Sequence, residues 1–181
     1  SDLGISAKPD NTPITEADLA AHSYITEELS RRYDYPVLSE EDVPAFSERQ
    51  DWETFWLVDP LDGTKDFIAH DDEFTVNIAL IREGRSILGV VGIPALGVIY
   101  AAAEGQGAFR ICGAEKKKIF YAPIGGRICA AVSRFHKGAE TLRFCELLKT
   151  TELKEAGSAL KFCLLAEGSV DFYPRLGPVN E

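Results

Sequence analysis

Phe55-Trp56-Leu57-Val58-Asp59-Pro60-Leu61-Asp62-Gly63-Thr64 is the stretch from which the rest of the chain is read. Its first half is an apolar run with the length and composition of a buried strand. Pro60 has no N–H to give a sheet ladder, so the strand is expected to stop near Asp59. Asp59 and Asp62 then flank a tight bend, where their carboxylates and the Leu61 carbonyl can converge on a hard cation. Mg²⁺ suits such a place, because it takes a few oxygen ligands and completes its octahedron with water and phosphate. The plainer reading is a turn and nothing more, since Asp-Gly is an ordinary turn signal and turn aspartates bond their own backbone.

Leu61-Asp62-Gly63-Thr64 also matches a string found in phosphatases with an aspartyl nucleophile. Those need a carboxylate two residues before the string's Asp, and Pro60 stands there. A covalent aspartyl mechanism is excluded on that residue.

Composition narrows the field. Across 181 residues the chain is 45% hydrophobic with a formal net charge of −10. That supports a substantial core and argues against non-specific binding to nucleic acid or anionic membrane. No apolar run reaches the length of a membrane span and no signal peptide is visible, which reads as cytoplasmic. Cys112, Cys129, Cys145 and Cys163 are far apart with no C-x-x-C spacing. They read as small core residues rather than a zinc site or a disulfide framework.

Outward from the central run, residues 1–13 read as an extended polar arm. A helix is expected from Thr15 to about Arg31, with Thr15 and Asp18 in an N-cap pattern and Leu19, His22, Ile25 and Leu29 along one side. Pro36-Val37-Leu38 should be a short strand delivering Ser39-Glu40-Glu41-Asp42, and 43–51 a polar connection. Thr75 to Ile81, Ser86 to Gly92 and Val98 to Ala103 read as an antiparallel meander. Gly107 to Ile111 and Ile119 to Tyr121 extend it across a basic loop, Lys116-Lys117-Lys118. Beyond Gly125-Gly126 strand and helix alternate: a strand at 128–132, helices at 138–148 and 158–167, a strand at 170–173. The expected organisation is a metal-binding α+β lobe over 1–124 and a smaller substrate-binding α/β lobe over 125–181.

Three carboxylate groups stand at element ends: Asp18, Glu40-Glu41, and Asp59 with Asp62. Singly they read as a helix cap, a solvated acidic loop and a turn; together, crowded like charges call for a cation. The helix at Ser158 is apolar almost all round and should be buried. Lys161 is its only charge before Glu167 and sits in its first turn, where a cation opposes the helix dipole. A phosphate near that helix start would supply the missing anion, and Arg175 could be a second clamp. Solvent snorkelling is the alternative for both.

With these residues assembled, the chain resembles the inositol monophosphatase superfamily of Mg²⁺-dependent, lithium-sensitive phosphatases. The motifs that carry the resemblance are Thr15-Glu16-Ala17-Asp18, Ser39-Glu40-Glu41 and the run from Trp56 to Thr64. Lys65-Asp66-Phe67, Val132-Ser133-Arg134-Phe135-His136, the stretch from Gly157 to Cys163 and Tyr173-Pro174-Arg175 make it most similar to the bisphosphate nucleotidase (CysQ-type) branch. The resemblance implies a layered αβαβα fold and hydrolysis of adenosine 3′,5′-bisphosphate to AMP, within sulfur assimilation. It implies two or three Mg²⁺ ions, with Glu40, Asp59, the Leu61 carbonyl and Asp62 as ligands, and Li⁺ as inhibitor. Asp18, Glu40 and Thr64 would be catalytic, with Asp18 and Thr64 positioning and activating the attacking water. Gly63 and Thr64 would meet the scissile phosphate. Ser158, Lys161 and Arg175 would hold the nucleotide, with His136 near its ribose or base.

The family continues into a Trp-Asp-x-Ala-Ala-Gly motif whose aspartate ligates a metal, and this sequence ends at Glu181, one position before the expected Trp-Asp. The family's first helix also has no counterpart here, so the sequence reads as truncated at both ends. Two other readings stay open: an inositol or sugar monophosphatase, and a binding-only remnant that holds metal or nucleotide without turnover. Oligomeric state is not legible.

Overall fold

The computed structural model describes residues 4–7, 13–121, 125–134 and 138–176. Two short strands, β1 (Ser6–Ala7) and β2 (Pro13–Ile14), pair antiparallel ahead of α1 (Glu16–Arg32). Thr15 caps that helix: its backbone N–H donates to Asp18 Oδ2 at 2.8 Å, and its hydroxyl donates to the same oxygen. The main sheet comprises β3 (Val37–Ser39), β4 (Thr54–Asp62), β5 (Thr75–Arg82), β6 (Arg85–Ile93), β7 (Val98–Ala103), β8 (Gly107–Cys112) and β9 (Glu115–Ile119), in that spatial order. Only β3 and β4 run parallel; every other neighbouring pair is antiparallel.

Side chains alternate between the two faces of this sheet, which sorts its packing. Trp56 and Val58 point to one face and are buried, with the Trp56 ring 5.2 Å from that of Tyr33 at the end of α1. Register places Asp59 opposite Asn77, Asn77 opposite Val91, and Val91 opposite Tyr100, all on the other face. There Ile93, Val98 and Tyr100 form one buried cluster with Leu160, Cys163 and Leu164 of α5 (Leu160–Ala166). The Tyr100 hydroxyl donates to Glu167 Oε2 at 2.8 Å, just past that helix.

A second, two-stranded parallel sheet joins β10 (Cys129–Ser133) to β11 (Glu152–Ala156), with α4 (Ala139–Leu147) as the crossover. Ala131 of β10 packs into the α5 cluster, while Ala130 and Val132 pack against Cys145 of α4. Helix, sheet, helix, sheet, helix is therefore the layer order, the αβαβα arrangement expected.

Several details differ from expectation for physical reasons. Strand β4 continues past Asp59 to Asp62, because its register slips between these residues and Pro60 sits in the irregularity, where no ladder N–H is required. Lys116–Lys118 form not a loop but most of β9, an edge strand with all three lysines exposed; charge on an edge discourages further pairing. Lys116 Nζ stands 4.2 Å from the Phe109 ring centre. The connection at 43–51 contains a short helix, α2 (Phe46–Arg49). The strand expected at 170–173 reduces to one bridge, Ala130 to Phe172, with Pro174 soon after. Cys112 is exposed and Cys129 half-buried, so only Cys145 and Cys163 are core cysteines. Phe162 is 60% exposed, so α5 is buried on three sides rather than all round. Among the described residues no helix is long and apolar enough to cross a membrane.

Candidate active site

The end of β4 is where the two helix layers meet. From one face, the first turn of α1 presents Asp18, which is 1% exposed. Its Oδ2 is held by Thr15, and its Oδ1 accepts a hydrogen bond from the Thr64 hydroxyl at 3.2 Å. The same hydroxyl lies 3.5 Å from the Leu61 carbonyl oxygen. Thr64 opens α3 (Thr64–Ile68), and Gly63 before it has φ +90°, a left-handed value open to glycine at little cost. A Cβ there would also sit 3.0 Å from Asp66 Oδ2 and 3.3 Å from Ser158 Cβ.

From the other face, Asp59 and Asp62 approach the start of α5. Burial, with the charges of Asp62 and Glu40 close by, pushes the Asp59 carboxyl up from 3.8 to about 8, and Glu40 lies within hydrogen-bonding reach of it. The Leu61 N–H donates to Asp59 Oδ1 at 3.2 Å. Burial also raises Asp62, against the opposing pull of the Ala159 N–H, the Lys161 charge and the Asn77 amide. Thr75 Oγ1 and Asn77 Nδ2 each lie 3.4 Å from Asp62 Oδ2. Glu40 itself is exposed, on the turn after β3, where Ser39 beneath it is buried and bonds His22 Nδ1 at 2.8 Å.

These groups fit a hard divalent cation. All the donors are oxygens, and a carboxyl pushed up to about 8 by burial, and further by the Asp62 and Glu40 charges, marks a site short of positive charge. Among the described residues, no three acidic, histidine or cysteine side chains form one ready-made cluster. Asp59 nonetheless feels both Asp62 and Glu40, and the backbone Leu61 oxygen, phosphate and water would complete a coordination shell.

The residues expected to hold the nucleotide are gathered only in part. Lys161 is 7% exposed, and its ammonium donates to the Ser158 carbonyl at 2.6 Å. Desolvation lowers its pKa, while Asp62 and Asp66 hold it up, so its neighbouring anions are the protein's own carboxylates. The Tyr173 ring centre lies 5.5 Å from Nζ. Arg175 is half-buried and near enough to Lys161 for the two charges to oppose each other. Ser158 spends its hydroxyl on the Glu73 carbonyl. His136 lies outside the described residues.

Sequence reasoning assigned no role to Glu73, Asp71, Asn77 or Arg134, nor to Asp66. Asp66 is 4% exposed, and its Oδ1 has no hydrogen-bond partner among the described residues. Arg134 reaches it at 3.9 Å, pairs with Asp71 and bonds Glu73 at 2.8 Å. Asp66 and Arg134 lie within the motif strings quoted above, but nothing local in the sequence says that they meet.

Comparison with known proteins gives the family. Residues 2–181 match the inositol monophosphatase family. The chain is 46% identical over 182 residues to the 3′(2′),5′-bisphosphate nucleotidase CysQ of Escherichia coli K12, covering 98% of this chain and 72% of that protein. Its fold superposes on the crystal structure of CysQ from Bacteroides thetaiotaomicron with a TM-score of 0.82 at 37% identity, over 95% of this chain and 70% of that one. The inositol monophosphatase of Thermotoga maritima gives a TM-score of 0.78 at 26% identity, over 95% and 67% of the two chains. With the Asp18–Thr64 bond and the crowded carboxylates at the end of β4, the match places this chain in the inositol monophosphatase family of phosphatases.

Proposed function

We propose that the protein is a Mg²⁺-dependent phosphatase that removes the 3′-phosphate of adenosine 3′,5′-bisphosphate, giving AMP and phosphate. The observation that carries the reading is a buried Asp59 with Asp62 and Glu40 beside it: burial first, then the two neighbouring charges, pushes its carboxyl up to about 8. The CysQ relatives, named as bisphosphate nucleotidases, support the nucleotide over an inositol phosphate. In this reading residues 1–124 hold the metal and 125–181 the nucleotide.

Glu40, Asp59, the Leu61 carbonyl and Asp62 would hold Mg²⁺. When bound, the ion lowers the pKa of water and neutralises charge on the phosphoryl and leaving oxygens. The side chains do the rest. Thr15 fixes the Asp18 carboxylate, and that carboxylate accepts a hydrogen bond from the Thr64 hydroxyl. The Thr64 oxygen is then turned to accept a hydrogen bond from the attacking water and align it. The water oxygen bonds to phosphorus as the bond to the ribose oxygen breaks; of the water's two protons, one ends on the leaving oxygen and the other stays with the released phosphate. Gly63 and Thr64 amides would steady the scissile phosphate. Lys161 and Arg175 would face the second phosphate, with Ser158 and His136 beside the nucleoside. Li⁺ would compete for the cation site.

Product analysis tests this. Incubation with adenosine 3′,5′-bisphosphate and Mg²⁺ should give 5′-AMP by chromatography, and excess chelator should stop it. Formation of 3′-AMP, or turnover that persists in chelator, would contradict the proposal.

A further inference from the structure

We propose that Glu73 and Arg134 are positioning residues that set where Ser158 and Lys161 stand relative to the Asp59–Thr64 end of β4. The inference rests on the functional reading above. Glu73 lies between α3 and β5, on the metal-holding side, and it binds the other side with both of its acceptors. Its carboxylate Oε2 accepts the Gly157 N–H at 2.7 Å and the Arg134 guanidinium at 2.8 Å. Its backbone carbonyl accepts the Ser158 hydroxyl. Arg134, directly after β10, also pairs with Asp71 and lies 3.9 Å from the buried Asp66 carboxylate. One arginine thus faces three acids, one on α3 and two on the segment that follows it.

The turn it holds is under constraint. Ser158 has φ +40°, a left-handed value that a non-glycine residue keeps only when its surroundings impose it. At Gly157 a Cβ would lie 2.9 Å from Asp66 Oδ2, so the turn is pressed directly onto Asp66. Lys161 follows any movement of this turn, because its ammonium bonds the Ser158 carbonyl. The nucleotide-facing cation is thereby tied to the metal-holding half through Glu73 and not through the chain alone.

A clasp of this kind acts on binding of the part of the substrate remote from the reacting phosphorus. Glu73→Ala, Glu73→Gln and Arg134→Gln should be compared with the unsubstituted protein on adenosine 3′,5′-bisphosphate and on p-nitrophenyl phosphate, which lacks the nucleoside. Glu73→Ala should raise KM for the bisphosphate about tenfold with little change in kcat, while kcat/KM for the aryl phosphate stays within about twofold. Glu73→Gln keeps an oxygen for the Gly157 N–H and should recover part of the loss. Arg134→Gln removes a half-buried guanidinium but leaves Glu73 on the Gly157 N–H, and should raise KM in the same sense, so it carries the comparison if Glu73→Ala does not fold. Equal losses on both substrates, or unchanged KM in the folded variants, would overturn the proposal. An unsubstituted protein inert on both substrates would overturn the functional reading and this role with it.

Discussion

The Thr64 hydroxyl donates to Asp18 Oδ1 at 3.2 Å, a bond between residues 46 positions apart that joins the start of α1 to the start of α3. Asp18 is fixed from behind by Thr15, so the carboxylate has one free task, which is to orient the Thr64 oxygen. Thr64→Ala should lower kcat by about a hundredfold, the usual worth of a positioned proton acceptor, with KM nearly unchanged. Thr64→Ser should recover most of it. Steady-state kinetics at saturating Mg²⁺ check both; a Thr64→Ala protein with unchanged kcat would remove Thr64 from the chemistry.

The Asp59 carboxyl gives a pH signature for the metal-free protein. Its folded value, about 8, lies above its ordinary 3.8, so between these values the folded state binds a proton that the unfolded chain does not. The stability it contributes is full below 3.8 and is lost as pH rises through about 8. Without metal, unfolding free energy should fall by up to about 1.4 kcal/mol per pH unit within that window. Asp59→Asn should flatten the slope, and Mg²⁺ should stabilise the unsubstituted protein more at pH 8 than at pH 5. Urea titrations at several pH values, with and without Mg²⁺, check this.

Gly157 is a packing site rather than a hinge. A methyl there would meet the Asp66 carboxylate at 2.9 to 3.1 Å, and Asp66 is buried and boxed in by Gly63 and Arg134. Gly157→Ala should therefore cost about 1–3 kcal/mol, the usual range for overpacking. The urea midpoint measures it, and an unchanged midpoint would mean that the turn can lift off Asp66 freely.

The cysteines should separate by reactivity. Cys112 is exposed, whereas Cys163 is buried and its thiol is pushed up to about 12, chiefly by desolvation, so little thiolate forms there. A thiol reagent added to the native protein should label Cys112 first and Cys163 only on unfolding. Peptide mapping of the labelled sites reads the order.

How much of this was legible in the sequence depended on distance along the chain. Periodicity and turn residues placed α1 and the meander from β5 to β8, because alternation and capping are local. Pro60 misled, since a proline ends a strand only where a ladder N–H is needed, and the register slip at Asp59–Asp62 removes that need. The lysines of β9 read as a loop because charge outweighs propensity in a short window, although an edge strand tolerates it. At the site, Asp18, Asp59 and Asp62 were visible because they sit in compact motifs. The Glu73–Arg134 pair was not, because its partners are 61 residues apart and nothing local marks either as paired. Ser158 was expected at the site, but its left-handed backbone and its bond to Glu73 exist only in the packed turn.

If the crowded carboxylates at the end of β4 hold Mg²⁺ for hydrolysis of a nucleotide phosphate, turnover must follow the ion. The most direct measurement is phosphate release from adenosine 3′,5′-bisphosphate as Mg²⁺ is raised from zero, with inositol 1-phosphate and the Asp59→Asn protein run beside it. Saturable, Mg²⁺-dependent release is expected from the nucleotide, little from inositol 1-phosphate, and none from Asp59→Asn while that variant remains folded. Equal release by Asp59→Asn, or release that ignores Mg²⁺, would contradict it.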